Sequence, residues 1–234
     1  MTTKSYAITD AALAEVISQY CRDLTAEAAS GKLEDYARAC DAADEALKAM
    51  TAKANVCITS DAGMGSRSVL EAVAQKISDG RDVPAPLANA RVLAPELSMM
   101  AAGAKFRGQL EERMKTLFEG LSERGGMFGD RKIVVAFDDL KGAFKLGWSP
   151  DTGRSFMFQR FAVSPGVSLI GICSPEFYAN DIKKDAGLAS RFSMQEFSVG
   201  NSGHTLAKAF TEGAAREISV RAPLVYRPKT PGLN

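Results

Sequence analysis

The stretch Lys132-Ile133-Val134-Val135-Ala136-Phe137-Asp138-Asp139 decides how this chain folds. Ile133 to Phe137 is an unbroken apolar run with three β-branched residues, the pattern of a strand covered on both faces. It stops abruptly at two carboxylates. Working outward, Val167 to Ile172 and Asn55 to Thr59 are further short apolar runs, Arg91 to Ala94 reads as another strand, and Ser193 to Val199 as a last one. Helical spacing fills the gaps. Leu110, Met114, Leu117, Phe118 and Leu121 form one stripe between Arg107 and about Arg124, and a helix is expected from about Ser66 to Ser78. Alternation of buried strands with helices predicts an α/β fold with a parallel sheet in three layers.

The flanks read differently. Leu13, Val16, Ile17, Tyr20 and Leu24, then Leu33, Tyr36, Cys40, Ala43, Leu47 and Met50, recur at three and four, so residues 1–50 are expected to be a helical lead-in. Residues 51–200 would be the α/β core. Residues 201–234 would be a short helix beginning near Ser202 and His204, then an extended tail with Pro223, Pro228 and Pro231. The segment between Gly142 and Gly153, which holds Trp148, reads as a loop.

Composition narrows the class. The 234 residues carry 29 Lys+Arg against 28 Asp+Glu, a net charge of +1, which argues against a nucleic-acid partner. No apolar run approaches the roughly 18 residues of a membrane span, and no secretory h-region follows Lys4, so a cytoplasmic setting is expected. Cys21, Cys40, Cys57 and Cys173 lack metal-ligand spacing and His204 is the one histidine, so free thiols are expected rather than a zinc site or disulfides.

Between the strand Asn55–Thr59 and the following helix lies Ser60-Asp61-Ala62-Gly63-Met64-Gly65-Ser66-Arg67-Ser68. A strand, a glycine turn and a helix N-terminus make an anion site, because backbone N–H groups and the helix dipole point at the ligand. Against G-x-x-x-x-G-K-[ST], Gly65 fits the second glycine, while Ser60, Ser66 and Arg67 replace the first glycine, the lysine and the hydroxyl residue. An acidic pair about seventy residues later suits magnesium-ATP chemistry: one carboxylate holds the hydrated ion and the other orients the attacking water.

Here the chain resembles the Clp-type AAA+ unfoldases, in the large subdomain of their first ATPase module, from about Asp23 to Val199. Asp23-Leu24-Thr25-Ala26 and Gly31-Lys32-Leu33 look like the lead-in to that module. Ala102-Gly103-Ala104-Lys105-Phe106-Arg107-Gly108-Gln109-Leu110-Glu111-Glu112-Arg113-Met114-Lys115 is close to the family's AGAKYRGEFEERLK, and Lys183 to Phe192 is similar to EKDAALERRF. The resemblance implies roles. Lys105, Phe106, Arg107 and Gly108 match a pore loop that grips threaded polypeptide in a hexameric ring. Gly63, Gly65, Ser66, Arg67 and Ser68 fall on the nucleotide loop. Asp138 matches the magnesium-site Asp, Asp139 stands for the catalytic Glu, Ser174 falls at the polar sensor, and Arg191 matches the second arginine finger.

The departures point the other way. In the ungapped match Ser66 stands at the catalytic lysine, Arg67 at the magnesium-ligating threonine and Ser190 at the first finger; a slide by one residue would instead set Arg67-Ser68 at the lysine and the hydroxyl residue, at the cost of Gly65 and of the match through the following helix. Asp139 is one methylene short of Glu. The family's VIGR segment reads Tyr36-Ala37-Arg38-Ala39 here. A lid subdomain is not expected in the 34 residues after Gly200, being 234 − 200. The expectation is therefore a pseudo-ATPase without a cofactor, a structural, regulatory or polypeptide-binding component that meets its own copies or an active AAA+ partner. The alternative is a divergent unfoldase subunit that binds ATP and magnesium and hydrolyses slowly.

Overall fold

The computed structural model describes residues 7–33, 39–59, 66–102, 107–145, 148–149, 154–199 and 205–210. In chain order the first elements are α1 (Asp10–Tyr20), β1 (Cys21–Asp23), α2 (Leu24–Ala29), α3 (Cys40–Ala52), β2 (Asn55–Thr59), α4 (Arg67–Asp79), β3 (Arg91–Pro95), α5 (Leu97–Ala101) and α6 (Arg107–Glu123). Then come β4 (Met127–Phe128), β5 (Arg131–Phe137), α7 (Leu140–Lys145), β6 (Trp148–Ser149), β7 (Arg154–Ser155), α8 (Phe156–Val163) and β8 (Ser168–Cys173). A short α9 (Pro175–Phe177), α10 (Ala186–Arg191), β9 (Phe192–Val199) and β10 (Thr205–Phe210) complete them.

The sheet runs β1-β3-β5-β8-β2-β9-β10, with β4 paired to β5 off this path. The inner pairs β3–β5, β5–β8, β8–β2 and β2–β9 are parallel, and the outer strands β1 and β10 are antiparallel to their neighbours. The expected parallel sheet is present, since every residue of β2 and all five from Ile133 to Phe137 are buried. Register decides which residues share an edge. Phe137 pairs with Gly171 and Thr59 with Cys173, so the chain leaves β2, β5 and β8 side by side at their carboxyl ends.

Helices cover both faces. On one, α1, α6, α7 and α8 bury Leu13, Leu117, Phe118, Phe144, Phe158 and Phe161 against Cys57, Val135, Phe137 and Leu169. On the other, α3 and α4 bury Ala43, Leu47, Val69, Val73 and Ile77 against Val56, Ile58, Val134 and Ile170. This is the three-layer α/β arrangement expected from the sequence. Phe118 stacks on Phe161 at 4.4 Å between centroids and meets Phe137 and Phe158 edge-on at 6.2 and 6.3 Å. Asn55, fully buried, donates to Ala162 O at 2.7 Å and accepts from Leu169 N at 3.2 Å, tying β2 to α8 and β8.

Three elements differ from the sequence reading. The stripe Leu13 to Leu24 is not one helix: α1 stops at Tyr20, and β1 pairs Cys21 to Asp23 with Pro95 to Leu93 before α2 begins under an Asp23 cap. Periodicity cannot see a three-residue edge strand whose partner lies seventy positions away. The stretch after the acidic pair is not all loop, because Leu140–Lys145 is α7, with Leu140, Ala143 and Phe144 buried at helical spacing. Beyond Ser202, Thr205–Phe210 is strand rather than helix, in antiparallel register with Val199 to Met194. Pairing with β9 decided this segment. The helical lead-in packs directly on the core, α1 on α6 in one cluster and α3 on α4 in the other.

Candidate nucleotide-type site

Arg67 is the first residue of α4 and Asp138 the first after β5. The parallel sheet brings these points together, and Arg67 Nη2 donates to Asp138 Oδ2 in an ion pair. Both partners stay accessible: the Arg67 side chain is 63% exposed and that of Asp138 45%. Thirteen-residue α4 has no acidic residue in its first turn, and Ser66, at its cap, makes no side-chain capping bond. The positive end of the helix dipole and the guanidinium thus lie together.

Asp139 is turned to a structural task. Its Oδ1 accepts from Gly142 N at 2.8 Å, and its carbonyl from Ala143 N at 3.1 Å, so it caps α7. Ser174 does the same for α9, its Oγ accepting from Phe177 N at 3.2 Å. Asp138 and Asp139 open onto a cleft of about 450 Å³ that Arg22, Arg67, Glu71 and Glu96 also line. Arg22 is engaged there by Glu27. Ser174 follows β8, on the neighbouring strand end, and is not among the residues lining the cleft.

Arg191 lies elsewhere. It ends α10, and its Nη2 donates to Ser164 O at 2.9 Å, while its Nε is buried without a partner. Lys132 is close by at the start of β5, the end opposite Asp138. Burial, and then the charge of Arg191, hold the Lys132 ammonium below the usual lysine range. The expected site residues thus fall in two places, Arg67, Asp138 and Asp139 at one edge of the sheet and Arg191 at the other.

Gly63, Gly65, Lys105 and Phe106 lie outside the described residues. Ser68 is half-buried in the first turn of α4, and Arg107 and Gly108 open α6. What the sequence reading did not single out is Arg113. Its Nη1 donates to Met100 O at 2.7 Å and Ala102 O at 3.3 Å, and its guanidinium sits 4.7 Å above the Tyr20 ring. It therefore ties the end of α5, just ahead of the 103–106 segment, to α1. Only contacts across three helices reveal this; in the sequence it is one arginine in an ordinary charged helix start. All four cysteines are free thiols, and burial pushes the Cys57 thiol well up.

As arranged, the described residues do not fit a magnesium ion. One oxygen of Asp138 is taken by Arg67 and one of Asp139 by a backbone N–H. Among the described residues no three His, Cys, Asp or Glu side chains cluster as metal ligands, and no helix is long and apolar enough to cross a membrane.

No protein-family profile matches the sequence. Among curated proteins it is 30% identical over 179 residues to the chaperone protein ClpB of Rhizobium meliloti, covering 75% of this chain and 20% of that protein. It is 31% identical over 178 residues to ClpB 2 of Parasynechococcus marenigrum. Among solved structures it matches Hsp104 with ATPγS and casein at a TM-score of 0.64 and 28% identity, covering 77% of this chain and 31% of that one. It also matches the Saccharomyces cerevisiae Hsp104–ADP complex at 0.65 and 27%, over 79% of this chain and 25% of that one. These comparisons support a Clp-type AAA+ family relationship across about three quarters of this chain. The chain spans about a fifth of the length of the curated relatives it matches.

Proposed function

We propose that the chain is a Clp-like AAA+ module of a polypeptide-handling assembly, one that binds ATP and hydrolyses it slowly. Nucleotide binding is supported by the AAA+-like core and by the similar structures of Hsp104 with ATPγS and with ADP. The observation that carries slow turnover is the ion pair of Arg67 with Asp138. A carboxylate held by a guanidinium is not offered to a metal, and one oxygen of Asp139 is committed to the α7 backbone. Arg191 is engaged within the chain by the Ser164 carbonyl, which argues against its serving as an arginine finger. An arginine finger alone is worth roughly 10³–10⁵ in turnover. A stricter reading, a pseudo-ATPase acting without a cofactor, draws on the same ion pair together with Ser66 and Ser190, but the relatives favour binding.

The assembly would contain further copies of this chain or an active AAA+ partner, in the cytoplasm, and its client would be unfolded polypeptide gripped by Lys105, Phe106, Arg107 and Gly108. The test is a titration with a fluorescent ATP analogue alongside a phosphate-release assay. Saturable binding with turnover at least 10³-fold below an active relative is expected. Absence of binding at millimolar nucleotide would leave the pseudo-ATPase, and turnover matching the relative would remove both readings.

A further inference from the structure

Resting on the nucleotide-binding reading, we infer that Arg67 takes the place of the divalent cation, so that this site accepts a nucleoside polyphosphate without magnesium. A magnesium ion in such a site would bridge a protein carboxylate and the phosphate oxygens and neutralise their charge. The Arg67 guanidinium already holds one end of that bridge. One of its nitrogens is on Asp138 Oδ2, and a guanidinium has five N–H donors in a planar fork, enough to serve a carboxylate on one edge and a phosphate on another. Its 63% exposure leaves that second edge reachable. Its place as first residue of α4, whose first turn has no acid, adds the positive end of a helix dipole on the same side.

Two further features make the exchange one of identity rather than of addition. A magnesium ion would have to displace a fixed positive charge from Asp138 to enter. Arg67 also removes the hydroxyl ligand at its own position. Glu71, Glu96, Asp138 and Asp139 line the same cleft as Arg67 and oppose an anion there, so affinity is expected to be modest and sensitive to salt.

The experiment measures the dissociation constant of a fluorescent ATP analogue in EDTA and in millimolar Mg²⁺, for the wild-type chain, Arg67→Ala and Arg67→Thr, with circular dichroism melts to show that each variant is folded. The wild type should bind equally, within twofold, under both conditions. Arg67→Ala should bind at least about 10-fold more weakly in EDTA. Arg67→Thr, which frees Asp138 and restores a hydroxyl, should become magnesium-dependent, and inorganic tripolyphosphate should compete in EDTA. Wild-type binding that is 10-fold tighter with Mg²⁺ would overturn the inference while leaving nucleotide binding in place. No binding under either condition would remove the nucleotide reading and the inference with it. An Arg67→Ala variant that binds as the wild type does in EDTA would also overturn it.

Discussion

Arg67 and Asp138, 71 positions apart in the chain, are joined by an ion pair at the carboxyl edge of the parallel sheet. Since both side chains remain substantially exposed, the pair contributes little to stability and much to the chemistry of the edge. A double-mutant cycle of Arg67→Ala and Asp138→Ala, followed by urea unfolding, should give a coupling energy below about 1 kcal/mol. The same cycle read by nucleotide binding should show the two residues strongly coupled.

Asp139 should prove to be a cap. Asp139→Ala is expected to cost about 0.5–2 kcal/mol in unfolding free energy, because the N–H of Gly142 loses its acceptor. Gly142→Ala should also destabilise, since a Cβ there would run into the Asp139 carboxylate. Asp139→Glu alone should leave turnover low, because Arg67 still holds Asp138.

The aromatic cluster under α6 is the sharpest test of the packing. Phe118 is 1% exposed and touches the rings of Phe137, Phe158 and Phe161. Phe118→Ala should cost about 3–5 kcal/mol, and Phe118→Leu distinctly less. Chemical denaturation of both variants checks the difference.

Acid should weaken the β1–β3 edge. Burial alone would raise the Asp23 carboxyl, but bonds from Thr25, from the Ala26 N–H and from Arg91 outweigh it and hold the carboxyl below its ordinary value. A depressed folded value means that the stabilisation is fully present above the unfolded value of about 3.9 and is lost as pH falls through the lower folded value. Urea midpoints at pH 6 and pH 3 should therefore differ more for the wild type than for Asp23→Asn.

Much of the fold is legible in the residues because it rests on local pattern. The run Ile133 to Phe137 and its partners Asn55–Thr59 and Val167–Ile172 announce strands covered on both faces, and the α6 stripe announces its helix. The limits are equally physical. Cys21 to Asp23 continues a helical stripe, yet pairs with β3 because tertiary hydrogen bonds outweigh a weak local preference. Thr205–Phe210 becomes strand only because β9 offers it a partner.

The candidate site divides in the same way. The glycine turn and the acidic pair point to Arg67, Asp138 and Asp139 as candidates, while Ser174 and Arg191 enter only through the family resemblance, and the structure sets both away from the cleft. Their state is not legible in the sequence, because it depends on what each side chain meets across the sheet. Residue types in order along the chain determined the parallel α/β core and put the glycine turn and the acidic pair at its strand ends. Only the tertiary structure decided that Arg67 engages Asp138, that Asp139 and Ser174 cap helices, and that Arg191 bonds the Ser164 carbonyl. Those outcomes turn on distances set by strand register, and register is a property of the folded sheet.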